Sequence, residues 1–213
     1  NGCDTITKPN LIYNINSPVA ITCTPTTISN CCGRGILNVT LADINNSSGD
    51  GASGYMNYTC VDATQLATGQ SYPLSVQTGS TDPENVRVWI DYNNSGTFQG
   101  TEMVFQSTNK IGIHAGTITI PGTATVNTTL RMRVSSDWAS SPLPLPCANV
   151  NSGQVEDYSV IVLNPTPPVA NFTFTTTSCS STVAFTDNST NQPSIWNWDF
   201  GDTTVSPLKN PSH

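Results

Sequence analysis

The sequence predicts an all-β protein, and three observations carry this prediction. Short runs in which apolar and polar residues alternate recur along the 213 residues. Clusters of Asn, Ser and Gly separate these runs, and the apolar spacing of an amphipathic helix is nearly absent. Many short strands with turn signals every 8–12 residues or so are typical of a β-sandwich.

The strand pattern is clearest at residues 130–134. Leu130, Met132 and Val134 alternate there with Arg131 and Arg133, which is the period-two pattern of a half-buried strand. The predicted strands are 36–41, 55–59, 72–76, 86–91, 103–106, 117–120, 130–134 and 155–163. The segments 45–51 and 93–96 are predicted turns because Asn, Ser, Asp and Gly dominate them.

A proline-rich segment divides the chain into two predicted domains. Residues 164–168, with three prolines, predict a stiff and extended linker. We therefore expect an N-terminal extension at 1–21, a first domain at 22–163 and a second domain at 169–213. Within the extension, residues 11–16 alternate apolar and polar side chains, so this segment could add a strand to the open sheet of a neighbouring molecule.

The composition excludes some classes of function. Only 10% of the residues are charged, against about 25% in ordinary globular domains. The net charge of −7 argues against nucleic-acid binding, because no basic patch is present to neutralise phosphates. The same charge is compatible with bound divalent cations. The longest apolar run, residues 160–163, is too short to span a membrane.

Seven cysteines and only two histidines predict a disulfide framework rather than a zinc site. Disulfides imply an oxidising compartment, so we expect a secreted, extracellular protein, or one held at the cell surface. The odd number leaves one thiol free or paired between chains, and the connectivity stays open. The candidates are Cys3, Cys23, Cys31, Cys32, Cys60, Cys147 and Cys179.

One loop has the ligand spacing of a calcium site. Asp91, Asn93, Ser95 and Glu102 occupy positions 1, 3, 5 and 12 of a twelve-residue loop with Gly at position 6, and the carbonyl of Thr97 stands at position 7. Its flanks alternate like strands, so we expect Ca²⁺ to stiffen a β-protein rather than to drive a helical sensor. With two carboxylates the affinity should be weak. The alternative is a turn whose Asp and Asn side chains cap their own backbone.

Four landmarks of the first domain resemble the GEVED domain of secreted bacterial proteins. They are SGQVEDY at 152–158, VWIDYNNSG at 88–96, LRMRV at 130–134, and VTL at 39–41 followed by NNSSG at 45–49. Gln154 stands where the family usually has an acidic residue. The resemblance implies a jelly-roll-like sandwich that serves as an accessory module of secreted and surface proteins, often in Bacteroidetes-like bacteria, without catalytic machinery.

The second domain resembles a PKD domain, which is an Ig-like sandwich. The likeness lies in FTDNS at 185–189, WNWDFGD at 196–202 and NPSH at 210–213. An Ig-like sandwich needs about 100 residues, and residues 169–213 supply about half of them. We therefore expect an incomplete sandwich with an apolar groove and unpaired strand edges. A strand from a partner would complete it, or the chain belongs to a longer multidomain protein.

The sequence contains little that points to catalysis. His114 and His213 are the only histidines, neither lies near a nucleophile motif, and we expect His114 on the surface. Glu156 and Asp157 are candidate catalytic or metal-binding carboxylates. An ion pair with a neighbouring arginine of 130–134 is the favoured interpretation of both. We therefore expect a protein that is not an enzyme.

Further candidate sites are an exposed aromatic residue and several glycosylation sites. Trp138 lies beside a proline-rich loop and is the best candidate for stacking against a bound ligand. The DTI and DTT stretches at 4–6 and 202–204 resemble the O-glycosylation motif of Bacteroidetes and would place sugars on Thr5 and Thr203. The N-x-S/T candidates are Asn38, Asn57, Asn127 and Asn171.

Two functions from different classes follow. The first is a non-catalytic extracellular structural or adhesive protein, the subunit of a homopolymeric filament assembled by β-strand complementation between neighbours. The alternative is an accessory module of a larger secreted hydrolase or peptidase that binds polysaccharide or matrix through Trp138.

Overall fold

The structure is a computed structural model, and it describes residues 6–8, 11–13, 16–29, 31–49, 54–176, 181–191 and 193–213. Among these residues the regular elements are β-strands and one short 3₁₀ turn, Gly100–Glu102, which confirms the all-β prediction. The chain forms two compact units, Asn1–Asn164 and Pro165–His213.

The first unit begins with a small hairpin. Strands β1 (Ile6–Lys8) and β2 (Leu11–Tyr13) pair antiparallel, with Ile6 opposite Tyr13. In the part of the chain that the structure describes, these two strands form a sheet of their own. The candidate donor segment 11–16 therefore starts with a strand that pairs with β1.

Two larger sheets build the body of the first unit. One has the order β10-β7-β3-β4, and the other has the order β5-β12-β11-β8-β9 with β6 also paired to β12. Both β5 and β6 run parallel to β12, whereas the other ladders are antiparallel. The strands are β3 (Ile36–Leu41), β4 (Ile44–Ser47), β5 (Tyr55–Asn57), β6 (Ala63–Ala67), β7 (Ser71–Thr78), β8 (Glu84–Ile90), β9 (Met103–Lys110), β10 (Ile113–Thr119), β11 (Thr129–Trp138) and β12 (Val155–Leu163).

The core lies between the facing sides of these two sheets. Every second residue of β11 enters it, as the alternation predicts: Leu130, Met132 and Val134 are fully buried. They belong to one buried apolar cluster with side chains of β3, β7, β8 and β12. Because the apolar side chains come from both sheets, the first unit is a β-sandwich.

The opposite face of β11 and β12 is covered as well, by two irregular segments that run together. Residues 26–29 pair with residues 149–151 through the bonds Ile28 N–H to Val150 O (2.9 Å) and Ser29 N–H to Asn151 O (2.8 Å). A disulfide joins Cys23 to Cys147. We call residues 16–29 the N-terminal strap. The carbonyl oxygens of Cys23 in the strap and Pro146 in the 139–151 loop both accept bonds from Arg133, which explains why this side chain is buried although it points away from the core.

The expectation that His114 lies on the surface was wrong. Strand β10 begins at Ile113 rather than at residue 117, so His114 falls within the strand and is fully buried. Its Nδ1 lies 2.8 Å from the Ser107 hydroxyl, and its Nε2 lies 3.3 Å from the Thr78 hydroxyl. These contacts satisfy both ring nitrogens inside the sandwich.

The second unit consists of two small sheets. Strands β13 (Phe172–Thr176) and β14 (Val183–Asp187) form one, and β15 (Trp198–Asp199) and β16 (Val205–Ser206) form the other. The second edge of β14 pairs with the stretch that ends at His213, through Val183 N–H to His213 O at 2.6 Å and His213 N–H to Val183 O at 2.9 Å. The likeness of this unit to a PKD domain stays a prediction.

Three of the fully buried titratable side chains in the described part of the first unit, Glu84, His114 and Glu156, lack an oppositely charged partner. Burial raises the pKa of Glu84 and that of Glu156 to about 7. Burial, together with the nearby charge of Lys110, lowers the pKa of His114 to about 4. Each buried group therefore favours its neutral form in the fold.

These shifts predict how the stability of the first unit depends on pH. The stabilisation from Glu84 and Glu156 is fully present below pH 4.5 and is lost as the pH rises through 7. The contribution of His114 is present above pH 6.5 and is lost as the pH falls through 4. Urea unfolding should therefore give the largest free energy of unfolding near pH 4–5 and a decline of roughly 1–3 kcal/mol between pH 6 and pH 8.

Variants assign this decline to its source. Glu156→Gln should flatten the profile between pH 6 and 8, because the neutral amide cannot ionise. The exposed carboxylate of Asp199 serves as the control, and Asp199→Asn should leave the profile unchanged. A wild-type profile that is flat or rising over this range contradicts the assignment.

Candidate functional site

The second unit carries a cluster of aromatic side chains that is only partly covered. The ring of Trp198 lies 5.3 Å from that of Phe172 and 5.5 Å from that of Phe185, measured between centroids. Phe172 nevertheless stays 52% exposed and the adjacent Ile195 stays 85% exposed. These large apolar side chains are thus open to solvent.

The cluster lines a groove of about 530 Å³. Its apolar lining includes Phe172, Phe185, Ile195, Trp196, Trp198 and Phe200, and its polar lining includes Asp187, Asp199 and His213. Strand β13, which carries Phe172, pairs only with β14 within the described residues. The strand β13 beside the groove therefore has one edge that pairs with no other described strand.

The calcium-loop motif forms a compact turn between β8 and the 3₁₀ turn. Both carboxylates point into the loop: Asp91 accepts bonds from the backbone N–H groups of Ser95 (Oδ1, 2.9 Å) and Gly96 (Oδ2, 2.9 Å). Glu102 accepts bonds from the N–H groups of Asn93 (Oε1, 3.2 Å) and Gln99 (Oε2, 2.8 Å). Asp91 and Glu102 are almost completely buried.

The candidate ligand atoms of this loop are all oxygens, the type that a hard cation such as Ca²⁺ prefers. Asp91, Asn93 and Ser95 are brought together, since Asn93 Oδ1 also accepts the Ser95 N–H at 3.0 Å. The Ser95 hydroxyl lies 3.2 Å from the Thr97 carbonyl oxygen. Each carboxylate oxygen that accepts one N–H keeps a further lone pair for a metal. The bonds that these side chains accept from backbone N–H groups are also those expected of a self-capped turn without a metal. Calcium binding stays a prediction.

Phe98 and Gly96 connect this loop to other parts of the first unit. The ring centroid of Phe98 lies 5.2 Å from the guanidinium carbon of Arg133, so the loop covers a buried cation. Gly96 adopts a φ of +77°, and a Cβ there would lie 2.8 Å from the carbonyl oxygen of Ala20 in the N-terminal strap. A glycine is required at this position both by the backbone conformation and by the close approach of the strap.

The buried cation belongs to an ion pair between β11 and β12. The Asp157 carboxylate receives Arg133 Nε at 2.7 Å and Arg133 Nη2 at 2.7 Å, one on each oxygen. Its Oδ2 also accepts Arg131 Nη1 at 2.9 Å and the Tyr55 hydroxyl at 2.8 Å. Burial and then the Asp157 charge raise the pKa of Tyr55 to about 12, so its hydroxyl stays a donor.

The two adjacent acidic residues therefore have different partners. The interpretation of Asp157 as an ion-pair partner of the neighbouring arginines is confirmed. The same interpretation was wrong for Glu156, whose Oε2 accepts the Tyr158 hydroxyl at 2.5 Å. Successive residues of a strand point to opposite faces, so Asp157 meets the arginines and Glu156 enters the core.

The departure at Gln154 has a structural role. Its Oε1 accepts the backbone N–H of Ile36 at 3.0 Å, a bond that a carboxylate oxygen could also make. The preceding Gly153 lies against β11, where a Cβ would fall 2.0 Å from the carbonyl oxygen of Ser136. Both residues fix the entry of the chain into β12.

Five of the seven cysteines lie among the described residues. Cys23 pairs with Cys147, the adjacent Cys31 and Cys32 are joined, and Cys60 is disulfide-bonded. Cys3 and Cys179 lie outside the described residues. The three described bonds suit an oxidising compartment.

The remaining predicted sites lie on the surface or outside the described part. Asn57, Asn127, Asn171 and Thr203 are exposed, Asn38 is half-buried, and Thr5 lies outside the described residues. Glycosylation stays a prediction for all of them. No helix among the described residues is long and apolar enough to cross a membrane.

Trp138 is 36% exposed at the end of β11. The guanidinium carbon of Arg34 lies over its ring, 4.4 Å from the centroid. Arg34 in turn contacts Asp82. Sequence reasoning missed both partners, because no motif connects these three positions along the chain.

The ion pair predicts a large cost for removing its acidic partner. Asp157→Asn leaves Arg133 buried without a counter-charge, so the free energy of unfolding of the first unit should fall by about 3–5 kcal/mol. Asp82→Asn breaks the more exposed pair with Arg34 and should cost less than about 1 kcal/mol. Urea unfolding measures both variants. A loss for Asp157→Asn no larger than that for Asp82→Asn contradicts the assigned role.

Comparison with known proteins gives one match to a domain family. The comparison with curated proteins gave no match. Among solved structures, the Salmonella enterica SafA pilin in complex with the SafB chaperone (Type I) is similar at 10% identity, over 88% of this chain and 86% of that chain, with a TM-score of 0.33. That score is too low to assign a shared fold or function. Residues 85–161 match the family model of the GEVED domain, which confirms the resemblance over the part of the first unit that holds the Asp91 loop and the Arg133–Asp157 pair.

Proposed function

We propose that the chain is a non-catalytic extracellular structural or adhesive subunit that assembles into filaments by β-strand complementation. The observation that carries the proposal is the open aromatic groove of the second unit, where Phe172 and Ile195 are more than half exposed. Each large apolar side chain that a partner covers contributes about 1.5–3 kcal/mol. A groove with several such side chains therefore supplies a strong drive for association.

The groove suits an extended segment rather than a globular partner. Strand β13 has an edge that pairs with no other strand within the described residues, and a sheet edge accepts an added strand through main-chain hydrogen bonds. The aromatic lining then accepts alternate side chains of the added strand.

Residues 11–16 of another copy are the proposed donor. Leu11, Tyr13 and Ile15 fall on one side of a strand, so one face of the segment is apolar. Six extended residues span about 20 Å, enough to run along the five residues of β13. Since β2 now pairs with β1, donation exchanges the β1 contact for the β13 edge.

A further part of the proposal is that calcium stiffens the first unit. The ligands would be Asp91, Asn93, Ser95, Glu102 and the carbonyl of Thr97. A cation there would hold Gly96 and Phe98 in place, and with them the strap and the cover of Arg133. Its chemistry is purely structural, since it would bridge oxygens without activating a substrate.

A second candidate function is that of an accessory module that binds polysaccharide. The observation that favours it is the exposed ring of Trp138, which is fixed from one side by Arg34. Aromatic rings on rigid strands are suited to stacking against sugar rings.

The assembly proposal predicts a specific effect of a charge in the groove. Ile195 is 85% exposed and lines the groove, so Ile195→Asp should leave the fold intact and block the donor strand. Val205 is 65% exposed and does not line the groove, so Val205→Asp is the matched control. Sedimentation velocity should show large assemblies for the wild type and for Val205→Asp, and monomers for Ile195→Asp.

A donor variant tests the other partner in the same assay. Tyr13→Asp should also abolish assembly, because it places a charge on the apolar side of the donor segment. The proposal is contradicted if the wild-type chain sediments as a monomer at high concentration while its second unit is folded.

The calcium proposal predicts weak binding. Isothermal titration should give a Kd of about 10⁻⁴–10⁻³ M, and 10 mM Ca²⁺ should then add about 1.4–2.7 kcal/mol to the stability of the first unit. Asn93→Ala removes an exposed ligand and should weaken binding at least tenfold, whereas Asp199→Asn should not change it. Equal unfolding curves in Ca²⁺ and in EDTA refute the site.

A further inference from the structure

The end of β11 presents an aromatic platform that is held in a fixed orientation. Trp138 is 36% exposed, and the guanidinium of Arg34 stacks over its ring at 4.4 Å from the centroid. The backbone N–H of Trp138 donates to Asp137 Oδ1 at 2.8 Å, which fixes the main chain beneath the ring. An exposed indole that is already ordered loses little conformational freedom when a ligand stacks on it.

A carboxylate completes the cluster. Asp82 Oδ2 accepts Arg34 Nε at 2.9 Å and contacts Arg34 Nη2 at 2.8 Å, so both contacts use one oxygen. The Asp82 side chain is 30% exposed, compared with 13% for Arg34. The other oxygen, Oδ1, takes part in neither contact and is the atom of Asp82 that could accept a hydrogen bond from a ligand.

The surrounding turns add hydroxyl groups. Trp138 lies opposite Glu84 in the β11–β8 ladder, and Ala139 N–H donates to Pro83 O at 2.9 Å. These contacts place the turn after Trp138 beside the turn that carries Asp82. The exposed hydroxyl side chains in the two turns are Ser80, Thr81 and Ser140.

The backbone that carries Arg34 is constrained as well. A disulfide joins the adjacent Cys31 and Cys32, and Arg34 N–H donates to Cys31 O at 3.4 Å. Gly79 lies so close to this turn that a Cβ there would fall 2.3 Å from Gly33 O. The surface formed by Trp138, Arg34 and Asp82 is therefore preorganised for a ligand.

We propose that Trp138, Arg34 and Asp82 form a saccharide-binding site for a neutral pyranose. The apolar face of the sugar ring would stack on the Trp138 indole, and its hydroxyl groups would bond with Asp82 and the exposed hydroxyl side chains. Because Arg34 and Asp82 cancel in charge, the cluster suits an uncharged hydroxylated ligand rather than an anion. This inference rests on the second candidate function and is independent of strand complementation.

The test uses the full chain and three uncharged probes: cellohexaose, xylohexaose and hexa-N-acetylchitohexaose. Isothermal titration of the wild type should detect at least one of them with a Kd at or below the millimolar range. Trp138→Ala should weaken that binding at least tenfold. Trp138→Phe keeps a smaller ring and should retain part of it, and Asp82→Asn should weaken it severalfold.

The matched control is Leu145→Ala, which removes an exposed apolar side chain from the loop that follows Trp138 and should leave the affinity unchanged. If the wild type and Trp138→Ala bind a probe equally, the proposed site is wrong and the polysaccharide function survives. If the wild type binds none of the three probes, both are overturned.

Discussion

The bidentate pair between Arg133 and Asp157 is the interaction on which the rest of the first unit depends. Moving a guanidinium out of water costs several kcal/mol, and the cost is recovered only when its donors are satisfied. Asp157 takes two of them, and the carbonyl oxygen of Pro146 accepts Nη1 at 2.7 Å. Displacing any segment that contacts Arg133 would therefore leave a buried donor unsatisfied.

The surroundings of Arg133 connect the separate features of this unit. Cys23, in the strap, presents its carbonyl oxygen to Arg133 and is joined to Cys147 in the facing loop. Phe98 covers the guanidinium from the Asp91 loop, and that loop also touches the strap at Ala20. The strap, the disulfide and the candidate calcium loop thus meet around one buried charge. The LRMRV and EDY segments, one on each of two neighbouring strands, both lie within the matched residues 85–161.

Much of the sandwich could be predicted from the sequence, because side-chain alternation has a direct geometric cause. The pattern at Leu130, Met132 and Val134 places these residues in the core, as observed. The same pattern predicts that Arg133 faces solvent, because the strap that contacts it has no periodicity of its own. His114 was misplaced for a related reason: at the start of β10 the polar His114 is buried and the apolar Ile113 is exposed, which reverses the expected pattern. Contacts between segments far apart in sequence, such as Arg34 with Trp138, leave no local pattern.

The two units differ in how far their apolar surfaces are satisfied. The first encloses a continuous core between two sheets, whereas the second leaves Phe172 and Ile195 largely open. The proposed function uses this contrast. The first unit is closed, and the open groove of the second unit is the surface that another copy of the chain would cover.

The most direct test of this account is electron microscopy of the native protein with helical image analysis. The account predicts filaments whose repeating unit is one chain, with residues 11–16 of one copy lying along β13 of the next. Separate particles in which the groove of the second unit is empty, or is filled by residues of the same chain, would contradict it.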